Sequence, residues 1–135
     1  MDELPVTGET DNAGPRAIGV LRALVGVAMI VAPRLVVRST DGEPESGTVA
    51  FMVRTIGVRD LALGLGTVTA ARSSRSGDAR RWVQFGLLSD ALDVVIGTRS
   101  APLLGRSGAA TAALVPVPFV AADLWILRAT APAQR

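Results

Sequence analysis

The chain has 135 residues, with 14 basic against 12 acidic side chains for a formal net charge of +2, and 49% of its residues are hydrophobic. Every basic residue is arginine; lysine, histidine, cysteine and tyrosine are absent. Disulfides, thiol redox chemistry, cysteine zinc sites, histidine general bases and lysine Schiff bases are thereby excluded.

The high pI reflects arginine standing in for lysine, and no basic stripe with interleaved aromatics marks a nucleic-acid surface. A mean hydropathy of +0.40 puts a membrane class among the first readings to test. The arginine-only, alanine-, valine- and glycine-rich composition suggests a GC-rich bacterial source.

Residues 1–16, "MDELPVTGETDNAGPR", are polar, acidic and punctuated by Gly and Pro, and read as a disordered N-terminal tail. The "LPVTG" within it is similar to a sortase signal but stands at the wrong end of the chain, so it reads as coincidence. Four apolar segments follow, at 17–33, 49–71, 82–98 and 109–127, each 17 to 23 residues long and so of bilayer-spanning length. Residues 129–135 form a C-terminal tail. The linkers at 34–48, 72–81 and 99–108 carry Gly, Pro, Ser and charge, as turns between helices do.

The expected fold is all-α: an antiparallel up-down four-helix transmembrane bundle over 17–128. Each charge near a span centre costs roughly 2.5–3.5 kcal/mol on insertion scales, so a soluble four-helix protein is the alternative. Against it, residues 56–71, beyond the Arg59–Asp60 pair, and residues 109–122 lack the polar face that a water-exposed helix needs. The tails and second linker hold Arg16, Arg72, Arg75, Arg80, Arg81, Arg128 and Arg135, whereas the other two linkers hold only Arg34, Arg38, Arg99 and Arg106. The positive-inside rule then places both termini in the cytoplasm, with Trp82 and Trp125 at that interface. The expected location is the bacterial cytoplasmic membrane.

Seven charges fall inside these spans: Arg22, Arg54, Arg59, Asp60, Asp90, Asp93 and Asp123. Such residues face a bundle interior and pair, or mark a pathway. With a helix rise of about 1.5 Å per residue, Arg59, Asp60 and Asp90 lie near the midplane. Arg54 and Asp93 lie outward of it, and Arg22 and Asp123 inward. Depth matching suggests the pairs Arg22–Asp123, Arg59–Asp90 and Arg54–Asp93, with Asp60 left over. A carboxyl without a cationic partner in low dielectric is a candidate proton site, so Asp60 and then Asp90 are named for that role.

"IGVLRALVG" (18–26) and "IGVRDLALG" (56–64) each place a charge between two glycines on one helical face, which lets another backbone approach around it. A remnant of internal duplication is one reading of the likeness and membrane composition the other. Pro116 and Pro118 remove backbone donors and should kink or break the fourth helix.

"GLG" at 64–66 lacks the context of a phosphate loop. Ser89 has no base beside it, and a metal shared by Asp90 and Asp93 would compete with the nearby arginines. No catalytic residues, metal ligands or cofactor site are expected.

The pattern R-x-x-G-x-R-D-L-x-L-G-L-G (Arg54 to Gly66), followed by S-D-A-L-D (Ser89 to Asp93), resembles small four-helix membrane proteins of bacteria that form an uncharacterised, DoxX-like group. The resemblance covers about residues 17–128. It implies a four-helix membrane bundle and puts Arg54, Arg59, Asp60, Asp90 and Asp93 at motif positions, but brings no substrate or reaction with it. The expected function is that of a non-catalytic integral membrane protein, an accessory subunit or homo-oligomer whose partners are the bilayer and other membrane subunits. The alternative is a small proton-coupled transporter or lipid-handling protein that uses an intramembrane aspartate.

Overall fold

The structure, a computed structural model, describes residues 12–38, 47–73 and 76–131. Most of the expected N-terminal tail, the linker acids Asp41, Glu43 and Glu45, and residues 132–135 of the C-terminal tail lie outside the described residues. Within them the chain is all-helical, without strands. Six helical segments follow in order: α1 (Ala13–Val31), α2 (Pro33–Arg38), α3 (Gly47–Ala71), α4 (Ser76–Arg99), α5 (Ala101–Leu114) and α6 (Val117–Ala129).

The helices outgrow the apolar segments that announce them. α1 starts at Ala13, α4 at Ser76 inside the expected second linker, and α5 at Ala101 inside the expected third; α2 occupies part of the first. Proline explains two of these starts. Pro33 opens α2 and Pro102 lies in the first turn of α5, where a missing N–H costs nothing. The first turn of α5 is set apart by Gly105 at φ 71°, a conformation that a side chain would strain. At the expected break the chain leaves α5 after Leu114 and enters α6 at Val117, with Val115 and Pro116 keeping near-helical dihedrals. Pro116 offers no N–H to the Ala112 carbonyl four residues back. The backbone of α4 approaches at this point, where a Cβ on Gly97 would lie 2.6 Å from the Ala113 nitrogen and 3.0 Å from the Ala112 oxygen.

The closest helix contact is α1 on α3, through the two glycine faces. A Cβ on Gly26 would lie 2.5 Å from the Leu61 nitrogen and 2.6 Å from the Gly57 oxygen. One on Gly64 would lie 2.5 Å from the Ala23 nitrogen and 2.6 Å from the Gly19 oxygen. The early glycine of each nine-residue motif therefore meets the late glycine of the other, and their central residues, Arg22 and Asp60, come within 3.8 Å. Neighbouring backbones run in opposite directions here. The same holds where Gly66 of α3 meets Trp82 and Arg59 meets Asp93 on α4, and where Gly97 and Gly86 of α4 meet Ala112 and Asp123.

Several charged side chains are buried while many large apolar ones are exposed. The clustered apolar core is small: Ile18, Val83 and Ile126, with Phe119, Ala122 and Leu127 against them. Buried beside it are Arg22, Asp60, Thr67, Asp90 and Asp123, whereas Leu24, Phe51, Leu103 and Trp125 are each more than 60% exposed. α1 and the α5–α6 run (Ala101–Ala129) are long and apolar enough to cross a membrane. Helices α3 and α4 are also of spanning length but carry charge in their central turns, Arg54, Arg59 and Asp60 in α3 and Asp90 and Asp93 in α4.

Candidate functional site: an ion-paired cluster beneath an apolar cavity

Arg22 is the hub of the charged residues, and its side chain is only 2% exposed. Its guanidinium forks onto Asp90, Nη1 donating to Oδ1 at 3.4 Å and Nη2 to Oδ2. The same Nη2 donates to Asp123 Oδ2 at 2.7 Å, and Asp60 Oδ1 lies 3.8 Å from Nη1. The ring of Phe119 covers the guanidinium with its centroid 4.7 Å from Cζ, a cation–π contact that is stronger when desolvated. One arginine thus ties α1 to α3, α4 and α6. A planar fork with five donors suits that task.

Gly86 makes room for the hub: a Cβ there would sit 3.0 Å from both Arg22 Nη2 and Asp123 Oδ2. Sequence reasoning named neither Gly86 nor Phe119. Each lies four residues before an aspartate of the cluster, Asp90 and Asp123, hence on the same helix face.

Arg59 forms the second layer. Nη1 donates to Asp93 Oδ2 at 2.6 Å, while Nε and Nη2 donate to Asp60 Oδ1 at 3.3 and 3.1 Å. Asp90 Oδ1 is 3.9 Å from Nη2, close enough for attraction but too far for a hydrogen bond. Asp90 and Asp93 therefore share a face of α4 but turn chiefly to different arginines, and among the described residues no group of three acidic side chains could hold a metal ion.

Of the three pairs suggested by depth, the structure brings together Arg22–Asp123 closely and Arg59–Asp90 loosely, but not Arg54–Asp93. Arg54 lies outside the cluster: it is exposed, and its Nε donates to the Ile30 carbonyl at 3.2 Å. The helix explains why. Five residues separate Arg54 from Arg59, about 140° around the axis at 3.6 residues per turn, so both cannot face α4. Arg54→Ala is accordingly expected to change unfolding stability by no more than about 0.5 kcal/mol, as read in a denaturant titration beside the unaltered protein.

Asp60, the aspartate left over by depth, is held on one side only. Two guanidinium–carboxylate layers leave four carboxyls (Asp60, Asp90, Asp93, Asp123) against two arginines. The Oδ1 of Asp123 is buried without a hydrogen-bond partner among the described residues.

Above this floor opens a cavity of about 460 Å³, bounded by Arg59, Asp60, Asp90 and Asp93. Its walls are apolar, with Val25 and Met29 from α1, Ile56 from α3, and Phe119 with Pro116 from the broken fourth segment. Of the two prolines, Pro116 is buried and lines the cavity, whereas Pro118 is exposed in the first turn of α6. Met52, Ile96, Leu103 and Leu104, all more than half exposed, form the mouth. Its charged groups are few and gathered at one end, with Ser100 the one further polar side chain, near the mouth, and sites for small amphipathic molecules are built in this way. No protein-family model, curated protein or solved structure matches the chain.

Proposed function

We propose that the chain is a multi-pass integral protein of the bacterial cytoplasmic membrane, an antiparallel bundle of four spans with both termini in the cytoplasm. α1, α3, α4 and the α5–α6 run would be the spans, and its architecture would be that of a small DoxX-like protein. On this reading it is a non-catalytic accessory subunit or homo-oligomer whose charged cluster fixes helix register. Buried charge beneath exposed apolar side chains carries the proposal. Buried Arg22, Asp60, Asp90 and Asp123 with an apolar exterior suit a solvent of lipid tails, where polar groups turn inward. A soluble four-helix protein would leave Leu24, Phe51, Leu103 and Trp125 facing water.

Orientation rests on where arginines gather. Gly14 meets Ile126, and Arg80 donates to the Leu127 carbonyl at 2.6 Å. The start of α1, the end of α3, the start of α4 and the end of α6 thus share one end of the molecule. Among the described residues that end holds Arg16, Arg72, Arg80, Arg81 and Arg128, and the other holds Arg34, Arg38, Arg99 and Arg106. The bias supports a cytoplasmic location for the first end.

The natural absence of cysteine makes the test clean. Gly47 and Gly77 have open space around them at opposite ends. In intact cells a membrane-impermeant maleimide should label Gly47→Cys, and should reach Gly77→Cys only after permeabilisation. Recovery of the protein in the soluble fraction, or equal labelling of both positions, contradicts the reading.

A second reading, a small transporter or lipid-handling protein, is favoured by the cavity, since a purely structural clamp has no use for an apolar chamber that reaches the charged layer.

A further inference from the structure

We propose that the cavity is a binding site for a lipophilic monocation: an apolar body carrying one shielded or delocalised positive charge. This deepens the transporter reading above and rests on it.

Three observations converge. The first is volume. At about 460 Å³ the cavity accepts a compact multi-ring molecule, within the usual 300–1,000 Å³ range of small-molecule sites. The second is the chemistry of the walls. Val25, Met29, Ile56 and Phe119 offer apolar and polarisable surface but no further charge, and methionines adapt to ligands of varied shape.

The third is the sign of the floor. Three carboxyls, of Asp60, Asp90 and Asp93, and one guanidinium line it, and the N–H groups of Arg59 are turned onto Asp93 and Asp60. Two oxygens on cavity-lining residues, Asp60 Oδ2 and Asp93 Oδ1, accept no hydrogen bond among the described residues. Asp93 is the more accessible, its side chain 29% exposed against 7% for Asp60. An anion would meet this carboxylate excess, and a strongly hydrated cation would lose its water against apolar walls. A cation whose charge is spread within an apolar shell avoids both costs.

Tetraphenylphosphonium tests this, with tetraphenylborate as its counterpart of like shape and opposite charge. Binding is measured on the full-length protein purified from membranes into lipid nanodiscs. Saturable binding of the phosphonium and none of the borate is the expected result. Asp93→Asn should weaken phosphonium binding at least tenfold. Ile96→Trp, which leaves every charge in place and fills the mouth, should do likewise in a protein with unchanged elution and melting. Should Asp93→Asn fail to assemble, Ile96→Trp still decides.

Absence of saturable phosphonium binding to the unaltered protein, equal binding of both ions, or indifference to both variants overturns the proposal. The membrane reading is scored separately, by whether the protein needs detergent to leave the membrane and stay monodisperse. Loss of the ligand result alone therefore leaves that reading intact. A borate that binds while the phosphonium does not would assign the floor to Arg59 and reverse the sign of the site.

Discussion

Arg22→Met is expected to cost about 3–5 kcal/mol of folding stability, the typical loss when one partner is taken from a buried ion-paired group. Methionine keeps an unbranched apolar stem but ends short of the guanidinium, and leaves Asp90, Asp123 and Asp60 without the cation that offsets their mutual repulsion. Such a loss is a large fraction of what a small domain has, so poor accumulation in the membrane is part of the expected result.

Arg22→Lys should fall between the two. It keeps the charge but replaces a planar fork over Phe119 with a point charge that cannot hold Asp90 and Asp123 in the same geometry. Adding Asp90→Asn to Arg22→Met should recover part of the loss, because two residues in one network are not additive. The check is equilibrium unfolding of the purified variants in one detergent. An Arg22→Met protein within about 1 kcal/mol of the unaltered one would mean that the hub is not holding the helices.

The second large effect belongs to glycines. Gly26→Ala and Gly64→Ala are each expected to lose about 1–3 kcal/mol, the range for overpacking a filled contact. The added methyl would meet Leu61 nitrogen and Gly57 oxygen in the first case, and Ala23 nitrogen and Gly19 oxygen in the second, all at 2.5–2.6 Å. Those obstacles are backbone atoms and cannot rotate away, so α1 and α3 must part, and the Arg22–Asp60 approach parts with them. Gly19→Ala, with nearest atoms at 3.0 Å, should cost less, and Gly77→Ala, with nothing within 4 Å, should be neutral. Thermal unfolding of the four variants should follow that order; a flat series would show that the close contact does not set the fold.

These two effects mark what was legible in the sequence and what was not. The glycine faces could be read directly, because Gly19, Arg22 and Gly26, like Gly57, Asp60 and Gly64, recur at helical spacing, and the structure packs one set on the other. The members of the cluster were also legible, except Arg54, because a charge within an apolar run needs a reason. The pairing scheme was less so. Depth along an axis says nothing about direction around it, which is why Arg54 was matched to Asp93 while Arg59 took that place. Depth matching also gave each arginine one partner, whereas Arg22 serves two aspartates by hydrogen bonds and a third by proximity.

The short α2 and the early start of α5 escaped because apolar length was the signal used: Pro33 closes the first apolar segment and Pro102 falls in a linker, although proline also opens helices. The cavity could not be foreseen at all: it arises where Met52 and Ile56 of one helix face Ile96 and Leu103 of others, a convergence no local pattern encodes.

The central claim is that the apolar exterior faces lipid while the charges face inward. The most direct test attaches a spin label to single cysteines at Leu24, Leu92 and Gly77 in reconstituted protein. It then compares collisions with oxygen, which concentrates in the bilayer, against a polar nickel complex, which stays in water. Leu24 and Leu92 are exposed near the middle of their helices, and Gly77 is exposed at one end. The account predicts high oxygen and low nickel accessibility at Leu24→Cys and Leu92→Cys, with the reverse at Gly77→Cys. Nickel accessibility at Leu24→Cys and Leu92→Cys equal to that at Gly77→Cys would contradict it.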